Sequence, residues 1–385
     1  MCCSATSIDF TGPYDAARVA EAVSGLQRSL NASADFALVF LSSDYLLKLE
    51  EFTDIVRVDG HVVELVGCTS LGRTFNGAER ESGSGFSLLA VHAPEVRVVI
   101  TELSQEKLEG TAVPGELGHS AGNPNGWIGL LNPFGLSVEQ FLGEWNTVFP
   151  KIPMAGALAS GVDENLAVFR NNAIVPGLAL GLEGALSIVA GVSPGCRPIG
   201  EPLTVTRADK NVVYSLGSRP AYEALESAFQ SLSDLEKAGA QGNLFAGLAS
   251  SEYVDEFEAE HFLVRSILGA DPTSGAVVIG GVPRVGQTLQ YQIRDSASAD
   301  TAMRAHLKQA AGMFQTPLAS ILFSCMERGS KFFGMPDHDA GLLETVWGKH
   351  PSIGFFCGGE IGPVAGKNCL HTHAAAFAAL VETKK

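Results

Sequence analysis

One pattern of apolar and polar positions occurs three times along the chain. In each copy an apolar run leads into a helical stretch, and a second apolar run then breaks at a loop of small residues. The copies occupy 36–72, 127–161 and 321–362, each a little over the ~30 residues of a strand–helix–strand crossover. A further apolar run follows every loop. The pattern predicts a scaffold that brings flexible loops together around something small.

Each copy predicts specific elements. The predicted strands cover 36–41, 62–72, 127–131, 152–161, 321–325 and 351–362, and the predicted helices cover 45–55, 138–149 and 340–347. Ser137 and Gln140 have the spacing of a capping box, which favours a helix start there. One amphipathic helix is also expected over 16–30, because four apolar residues fall on one helical stripe: Val19, Val23, Leu26 and Leu30.

Strand and helix patterns alternate, but several predicted strands also follow one another directly after the second copy. Consecutive strands imply antiparallel neighbours, so the predicted fold is α/β of the mixed α+β type, with mixed sheets flanked by helices in two layered halves. A length of 385 residues favours two domains. We place the boundary near Pro220, with an N-terminal helix and extension over 1–35 and domains over 36–220 and 221–385. The Gly- and Pro-rich stretch 104–126 is interpreted as a loop.

Composition narrows the class of protein. Hydrophobic residues make up 46% and charged residues 18% of the chain, which excludes an intrinsically disordered protein. The net charge of −16 disfavours nucleic acid and anionic membranes as partners. No apolar run approaches the ~20 residues needed to cross a bilayer, and the N-terminus lacks the pattern of a secretory signal. The seven cysteines are an odd number in apolar contexts, which is typical of reduced thiols, so we expect a soluble cytoplasmic protein.

The third copy holds the densest set of reactive side chains. Cys325 ends an apolar run, Arg328 follows it, Glu360 lies in the next loop and His371 opens the last run. If the strands are neighbours, these four side chains converge at one end of a sheet. A cysteine beside an arginine and a histidine has the thiolate character of a nucleophile. The alternatives are that Cys325 is a small buried apolar residue, and that Arg328 and Glu360 form a salt bridge that fixes two loops.

The histidines His371 and His373 would share one face of an extended segment. Together with Glu360 or Asp337 they offer ligands for a metal ion. Two histidines without a clear third ligand are weak evidence for such a site. We therefore predict neither a metal nor a cofactor.

The small-residue loops 67–72, 156–161 and 358–362 suggest a second kind of chemistry, because closely spaced backbone N–H groups bind anions. None of them has the Gly-Lys-Ser/Thr of a phosphate-binding loop. Arg73 and Arg170 follow two of these loops and are candidates to hold an anionic ligand. The alternative is that the glycines only turn the chain tightly.

These segments, in order, resemble the FIST domain family, which has an N-terminal and a C-terminal half. The resemblance runs from about Phe36 to the end of the chain and rests on the following stretches: Gly67-Cys68-Thr69-Ser70-Leu71-Gly72, Gly156–Gly161, Val205–Ala208, Phe262–Leu268, Cys325-x-x-Arg328-Gly329, Phe333-Gly334, Gly354–Pro363 and His371. The cluster over 354–363 is the most specific. The chain departs from the family at Glu327, which stands where a glycine is usual and adds a carboxylate beside Arg328.

The resemblance implies an intracellular module that senses small ligands, for which amino acids have been proposed. On this basis the ligand-binding residues are expected to be Cys68, Ser70, Arg73, Cys325, Arg328, Gly329, Gly359, Glu360 and His371. No segment resembles a kinase, a cyclase or another output domain, so a separate signalling protein is expected as partner. The apolar strands also permit a homodimer.

Three hypotheses follow. The first is a sensory protein that binds an amino acid or a related small acid between its halves, and whose arrangement a partner reads. The second is an enzyme with Cys325 as nucleophile, His371 as base and Glu360 orienting the base. The third is a ligand-free interaction scaffold, which would carry a large apolar surface patch.

Overall fold

A computed structural model of the chain describes residues 3–105, 122–162, 165–240 and 242–383. Much of the loop predicted over 104–126 therefore lies outside the described residues. The chain forms two compact units. The first comprises 1–192, 303–370 and 374–385, and the second comprises 193–302 with 371–373.

The first unit contains three copies of one strand order. The first copy consists of β1 (Ser4–Thr11), β2 (Ala34–Leu41), α3 (Leu49–Asp59), β3 (Val62–Thr69), β4 (Gly72–Phe75), β5 (Ala78–Arg80) and β6 (Gly85–His92), with α1 (Ala16–Val23) and α2 (Leu26–Leu30) after β1. The second consists of β7 (Val96–Leu103), β8 (Trp127–Leu131), α4 (Val138–Val148), β9 (Met154–Leu158), β10 (Val168–Arg170), β11 (Ala173–Val175) and β12 (Gly177–Gly184). The third consists of β13 (Leu186–Ser193), β22 (Ala319–Cys325), α8 (Ser330–Phe333), α9 (His338–Trp347), β23 (Ser352–Cys357), β24 (Glu360–Val364), β25 (Lys367–His371) and β26 (Ala375–Glu382).

The predicted strand–helix–strand units are confirmed, because in every copy the two strands joined by the helix pair in parallel. The pairs are β2 with β3, β8 with β9 and β22 with β23. A helical crossover is the usual way to connect neighbouring parallel strands. The units end in equivalent register, with Leu41 opposite Thr69, Leu131 opposite Leu158 and Cys325 opposite Cys357. The loops that follow these strands therefore leave from matching positions.

A glycine occupies the same place in the second strand of every copy. A Cβ at Gly67, Gly156 or Gly354 would collide with the backbone carbonyl oxygen of the parallel neighbour. The close approach of the two backbones requires a residue without a side chain there. This is the physical reason for part of the small-residue pattern in the sequence.

The three copies exchange hairpins in a cycle. The hairpin β4–β5 of the first copy extends the sheet of the third, β10–β11 of the second extends that of the first, and β24–β25 of the third extends that of the second. On the other side of every parallel pair lies the strand that follows the hairpin, namely β6, β12 or β26, and it pairs antiparallel. Each mixed sheet thus has six strands, and no copy can complete its sheet alone.

The copies also share one apolar core. Phe40 of β2 lies 4.6 Å, centroid to centroid, from Phe355 of β23, and Phe323 of β22 lies 5.7 Å from Phe355. Buried residues of β8 and β9, including Ile128 and Ala155, belong to the same cluster. The burial of these side chains is the main force that holds the three sheets together.

The second unit is inserted in sequence into the third copy, after β13. Its elements are β14 (Cys196–Pro198), β15 (Leu203–Asp209), β16 (Val212–Leu216), β17 (Arg219–Pro220), α5 (Ala221–Gln230), α6 (Asp234–Gly239), β18 (Leu244–Ala249), β19 (Phe262–Asp271), β20 (Ala276–Ile279) and β21 (Thr288–Arg294). Strands β15, β16, β20, β19, β18 and β21 form a closed antiparallel ring, because β21 pairs with both β15 and β18. Helix α7 (Ser296–Ala311) then returns the chain to β22.

Several local expectations differ from the structure. The two compact units are discontinuous in sequence, since the third copy is completed on both sides of the insertion, and the domain boundary near Pro220 stays a prediction. The helix expected over 16–30 breaks between α1 and α2, although its apolar stripe is buried as expected. The first residues form the edge strand β1 rather than only a helix and extension. The capping box at Ser137 is absent, because the Ser137 N–H donates to Gln105 Oε1 at 2.8 Å.

Candidate functional site

The loops that end the three copies meet at Ser160. The Ser160 hydroxyl donates to the Phe356 carbonyl oxygen at 2.6 Å and accepts from the Leu71 N–H at 3.0 Å. The Ser160 N–H donates to the Thr69 carbonyl oxygen at 3.2 Å, and the Leu158 N–H donates to the Gly359 carbonyl oxygen at 2.9 Å. One buried hydroxyl therefore ties the second loop to the first and the third.

Arg328 and Asp339 form a buried ion pair beside these loops. Arg328 Nε donates to Asp339 Oδ2 at 2.8 Å, and Nη2 donates to Oδ1 at 3.0 Å. Ser324 Oγ also donates to Asp339 Oδ2, and His338 Nδ1 lies 3.0 Å from Oδ1. Arg328 is 1% exposed and Asp339 fully buried. The salt bridge that the sequence suggested between Arg328 and Glu360 is thus replaced by a pair with the first turn of α9.

The charges of this pair are mutually stabilised. Burial alone would raise the pKa of Asp339, but the Arg328 charge and its hydrogen bonds hold that pKa well below the usual range. Burial alone would lower the pKa of Arg328, but Asp339 outweighs it and raises that pKa. Both groups are ionised at neutral pH, and the Arg328 guanidinium also lies over the Phe333 ring at 5.2 Å.

One nitrogen of the Arg328 guanidinium has no hydrogen-bond partner among the described residues. Nη1 is buried, while Nε and Nη2 are occupied by Asp339. Buried polar groups are nearly always hydrogen-bonded in folded proteins, so an open donor of this kind calls for an acceptor. Nη1 can therefore donate a hydrogen bond to an oxygen atom that the described residues do not provide.

Glu360 is fully buried and interacts electrostatically with the Arg328 guanidinium. Its Oε2 accepts from the Ala374 N–H at 3.1 Å, and Cys357 Sγ lies 3.3 Å from Oε1. Burial raises the pKa of Glu360 to about 8. The raised pKa favours the uncharged form of this carboxyl over the carboxylate.

The cysteines at the strand ends are poorly suited to act as nucleophiles. Burial raises the pKa of Cys357, and the Glu360 carboxyl raises it further. Burial likewise raises the pKa of Cys68. Cys325 is adjacent to Cys357 in register and is 5% exposed. The structure therefore brings Cys325, Arg328 and Glu360 together, and burial favours the thiol form of Cys68 and Cys357.

The other predicted ligand residues are buried in the same loops. Ser70 donates from its backbone N–H to the Leu41 carbonyl oxygen. A Cβ at Gly359 would stand 2.9 Å from Leu158, and one at Gly329 would stand 2.5 Å from the Glu81 carboxyl. These glycines allow close packing of the loops.

Arg73 and Glu360 occupy equivalent positions in two exchanged hairpins. Arg73 lies opposite Phe355 and Glu360 opposite Ala157, and both partners directly follow the glycines of close backbone approach. Arg73 donates to carbonyl oxygens just before β6, whereas Glu360 accepts from an N–H just before β26. Burial lowers the pKa of Arg73. The same position in the fold thus carries a guanidinium group in one copy and a carboxyl group in another.

The Arg170 guanidinium is already paired with carboxylates. Its guanidinium donates twice to Glu64, at 3.1 and 3.0 Å, and once to Glu102 at 3.3 Å. His371 and His373 group with the second unit, where the His373 ring packs 4.2 Å from the Phe245 ring. Across the residues that the structure describes, no group of three His, Cys, Asp or Glu side chains is arranged to hold a metal ion.

Two central residues were not predicted from the sequence, Asp339 and Ser160. Asp339 directly precedes the helix predicted over 340–347 and lies in the first turn of α9, where an acidic residue is usually explained by the helix dipole. Ser160 was included only as part of a small-residue loop. The usable signal was polarity in stretches that are otherwise apolar.

The family models match nearly the whole chain. The FIST N domain model matches residues 35–219 and the FIST C domain model matches residues 221–363. An uncharacterised protein of Mycobacterium tuberculosis is 38% identical over 258 residues, which cover 66% of this chain and 67% of the relative. An uncharacterised protein of Mycobacterium bovis is 35% identical over 257 residues, with the same coverage of 66% and 67%.

A solved structure also matches, a cyanuric acid hydrolase from A. caulinodans. The match covers 98% of this chain and 99% of that chain, with 10% sequence identity and a TM-score of 0.34. At that score the likeness supports no conclusion about fold or activity. Among the described residues, no helix is long and apolar enough to cross a membrane.

Proposed function

This chain belongs to the FIST family, whose domains are associated with sensing and signalling, and we propose that it is a cytoplasmic sensor of an amino acid or a related small acid. The observation that carries the proposal is the open Nη1 of Arg328, a buried donor of a permanently charged group. A ligand carboxylate supplies the acceptor oxygen that this donor lacks.

Glu360 makes the site selective for an acid. With its pKa at about 8, the Glu360 carboxyl is mostly neutral at pH 7 and does not repel an incoming carboxylate. Its O–H adds a second donor beside the guanidinium. Asp339 keeps Arg328 ionised but directs Nε and Nη2 away from the ligand.

In this proposal, entry of the ligand produces the signal by changing the arrangement of the loops around the site. Arg328, Cys325 and Glu360 are between 0 and 5% exposed, so a ligand reaches them only when the surrounding loops part. Ser160 ties these loops together, so movement of one loop strains the hydrogen bonds to the other two. A ligand that binds the open arrangement more tightly shifts the population towards it, and a separate partner protein reads that arrangement.

A thermal-shift screen of the purified protein tests the proposal. The compounds are amino acids and small carboxylic acids, each paired with its primary amide. A binding acid stabilises the fold by RT ln(1 + [L]/Kd), about 2.7 kcal/mol at a hundredfold excess over Kd, and its amide gives a much smaller shift. If no acid shifts the melting temperature and mass spectrometry finds no co-purified ligand, the sensor proposal is wrong.

Two variants locate the site. Arg328→Met removes the open donor and should abolish the shift, whereas the exposed Arg28→Met should leave it unchanged. Because Arg328→Met also leaves Asp339 unpaired, the double variant Arg328→Met/Asp339→Leu serves as a folded control without the charged pair.

A further inference from the structure

A polar stripe on β21 of the second unit is buried although it faces away from the core of the strand ring. Residues alternate in direction along a strand. Leu289, Tyr291 and Ile293 belong to the apolar core, so Thr288, Gln290 and Gln292 point to the other face. Their exposures are only 8, 7 and 0%. Polar side chains at this depth require hydrogen-bond partners.

The polar groups of the Thr288 side chain and N–H have hydrogen-bond partners, whereas each glutamine side chain has a partner for its Nε2 but none for its Oε1 among the described residues. The Thr288 hydroxyl and N–H both donate to the Glu252 carboxylate. Gln290 Nε2 donates to the Gly200 carbonyl oxygen at 2.7 Å, which fixes the orientation of that amide and leaves its Oε1 as the open atom. Gln292 Nε2 reaches the Gln290 carbonyl oxygen only at 3.4 Å. Neither glutamine Oε1 has a partner among the described residues.

Gly247 packs directly against this pair. It lies opposite Gln290 on the neighbouring strand β18. A Cβ there would stand 2.6 Å from Gln292 Nε2 and 3.0 Å from the Gln290 carbonyl oxygen. The missing side chain therefore gives the Gln292 amide the space that any larger residue would take. The Phe245 ring, two residues along β18, is buried and packs against the His373 ring.

We propose that Gln290 and Gln292 bind a carboxamide, or another group in which an N–H donor lies beside a carbonyl. Both open atoms are acceptors, which selects a ligand with N–H donors and disfavours a simple anion. The weakly held Gln292 Nε2 is free to donate to the carbonyl of the same ligand, giving the paired amide–amide hydrogen bonds that two carboxamides form. This site lies in the second unit and is independent of the acid site proposed at Arg328.

Ligand-observed saturation-transfer NMR with two probes tests this site. Acetamide carries the required N–H beside a carbonyl, and N,N-dimethylacetamide has the same carbonyl without the donor. The intact protein is expected to transfer saturation to acetamide at least about fivefold more strongly than to the dimethyl compound. Equal transfer to both, or none to acetamide, would show that water alone satisfies the glutamines and would overturn the proposal.

Variants assign the signal to its site. Gln292→Met keeps the side-chain length without the amide and should remove the acetamide signal, and Gly247→Ala should weaken it by crowding Gln292. The exposed Gln230→Met, in the same unit, should retain it. Circular dichroism melts check that each variant folds. If Arg328→Met removes the signal and Gln292→Met does not, the probe binds at the acid site and the glutamine proposal is wrong.

Discussion

Arg328 and Asp339 are joined by two parallel hydrogen bonds, at 2.8 and 3.0 Å, in a place where both side chains are almost fully buried. This geometry holds the guanidinium flat against the first turn of α9. It also decides which nitrogen stays open, because a carboxylate that occupies Nε and Nη2 leaves only Nη1 for a ligand. The ion pair is therefore a means of orienting Arg328 rather than a source of stability in itself.

Asp339→Asn is expected to destabilise the fold by about 3–5 kcal/mol, because it leaves the Arg328 charge buried without a counter-charge. The exposed Asp54→Asn should change stability by less than about 0.5 kcal/mol. Urea denaturation at neutral pH measures both. A loss for Asp339→Asn as small as that of the control would mean that the pair contributes nothing to the folded state.

The part of the stability that depends on Glu360 should fall as pH rises from about 4.5 to about 8. The pKa of Glu360 is about 8 in the folded protein, well above its ordinary value of 4.5, so the folded state retains a proton that the unfolded chain releases. This contribution is fully present below about pH 4.5 and is lost as pH rises through about 8. Glu79, with its pKa raised to about 7 by burial, acts in the same direction.

Glu360→Gln isolates the first of these two groups, because glutamine keeps the shape but cannot ionise. Its denaturation midpoints in urea should depend less on pH than those of the unsubstituted protein, with the difference concentrated between about pH 4.5 and 8. Parallel curves for the two proteins would show that Glu360 ionises in the fold at its ordinary pKa.

Gly156→Ala should destabilise the protein strongly, by about 3 kcal/mol or more, since its Cβ would collide with the Gly129 carbonyl oxygen of the parallel neighbour. Gly143→Ala is the matched control. That glycine lies in α4 with nothing within 4 Å of the added atom, so alanine should stabilise the helix by about 0.5–1 kcal/mol. Thermal melts of both variants compare them, and similar behaviour would contradict the close approach of β8 and β9.

The buried cysteines should resist alkylation at neutral pH until the protein is denatured. Burial raises the pKa of Cys68 and of Cys357, and Cys325 is 5% exposed, whereas Cys369 is partly exposed. Iodoacetamide labelling followed by peptide mass spectrometry should detect Cys3 and Cys369 before the buried cysteines. Rapid labelling of Cys325 in the native protein would instead support the enzyme hypothesis, in which Cys325 is the nucleophile.

The parts of the fold that local patterns determine could be predicted from the sequence. The parallel pairs β2–β3, β8–β9 and β22–β23 follow from apolar runs, helical periodicity and loops of small residues, all within short stretches of chain. The exchange of hairpins could not be predicted, because it depends on which sheet edge each hairpin reaches. The insertion of the second unit could not be predicted either, because strands on either side of it pair across more than a hundred residues.

The candidate site shows the same limit. Cys325, Arg328, Glu360 and His371 were predicted to converge at one end of a sheet, whereas His371 groups with the second unit. The salt bridge suggested between Arg328 and Glu360 was wrong, because Asp339 pairs with Arg328 instead. Asp339 lies on a helix whose position depends on tertiary packing. The protonation of Glu360 depends on burial, which a sequence pattern alone does not determine.

The central claim is that the open nitrogen of Arg328 binds a carboxylate. Isothermal titration calorimetry with the acid that gives the largest thermal shift tests it most directly, using the unsubstituted protein and the Arg28→Met and Arg328→Met variants. We predict saturable one-site binding to the first two, a loss of at least about tenfold in affinity for Arg328→Met, and weaker binding as pH rises through about 8. Unchanged affinity in Arg328→Met, with no dependence on pH, would contradict the account.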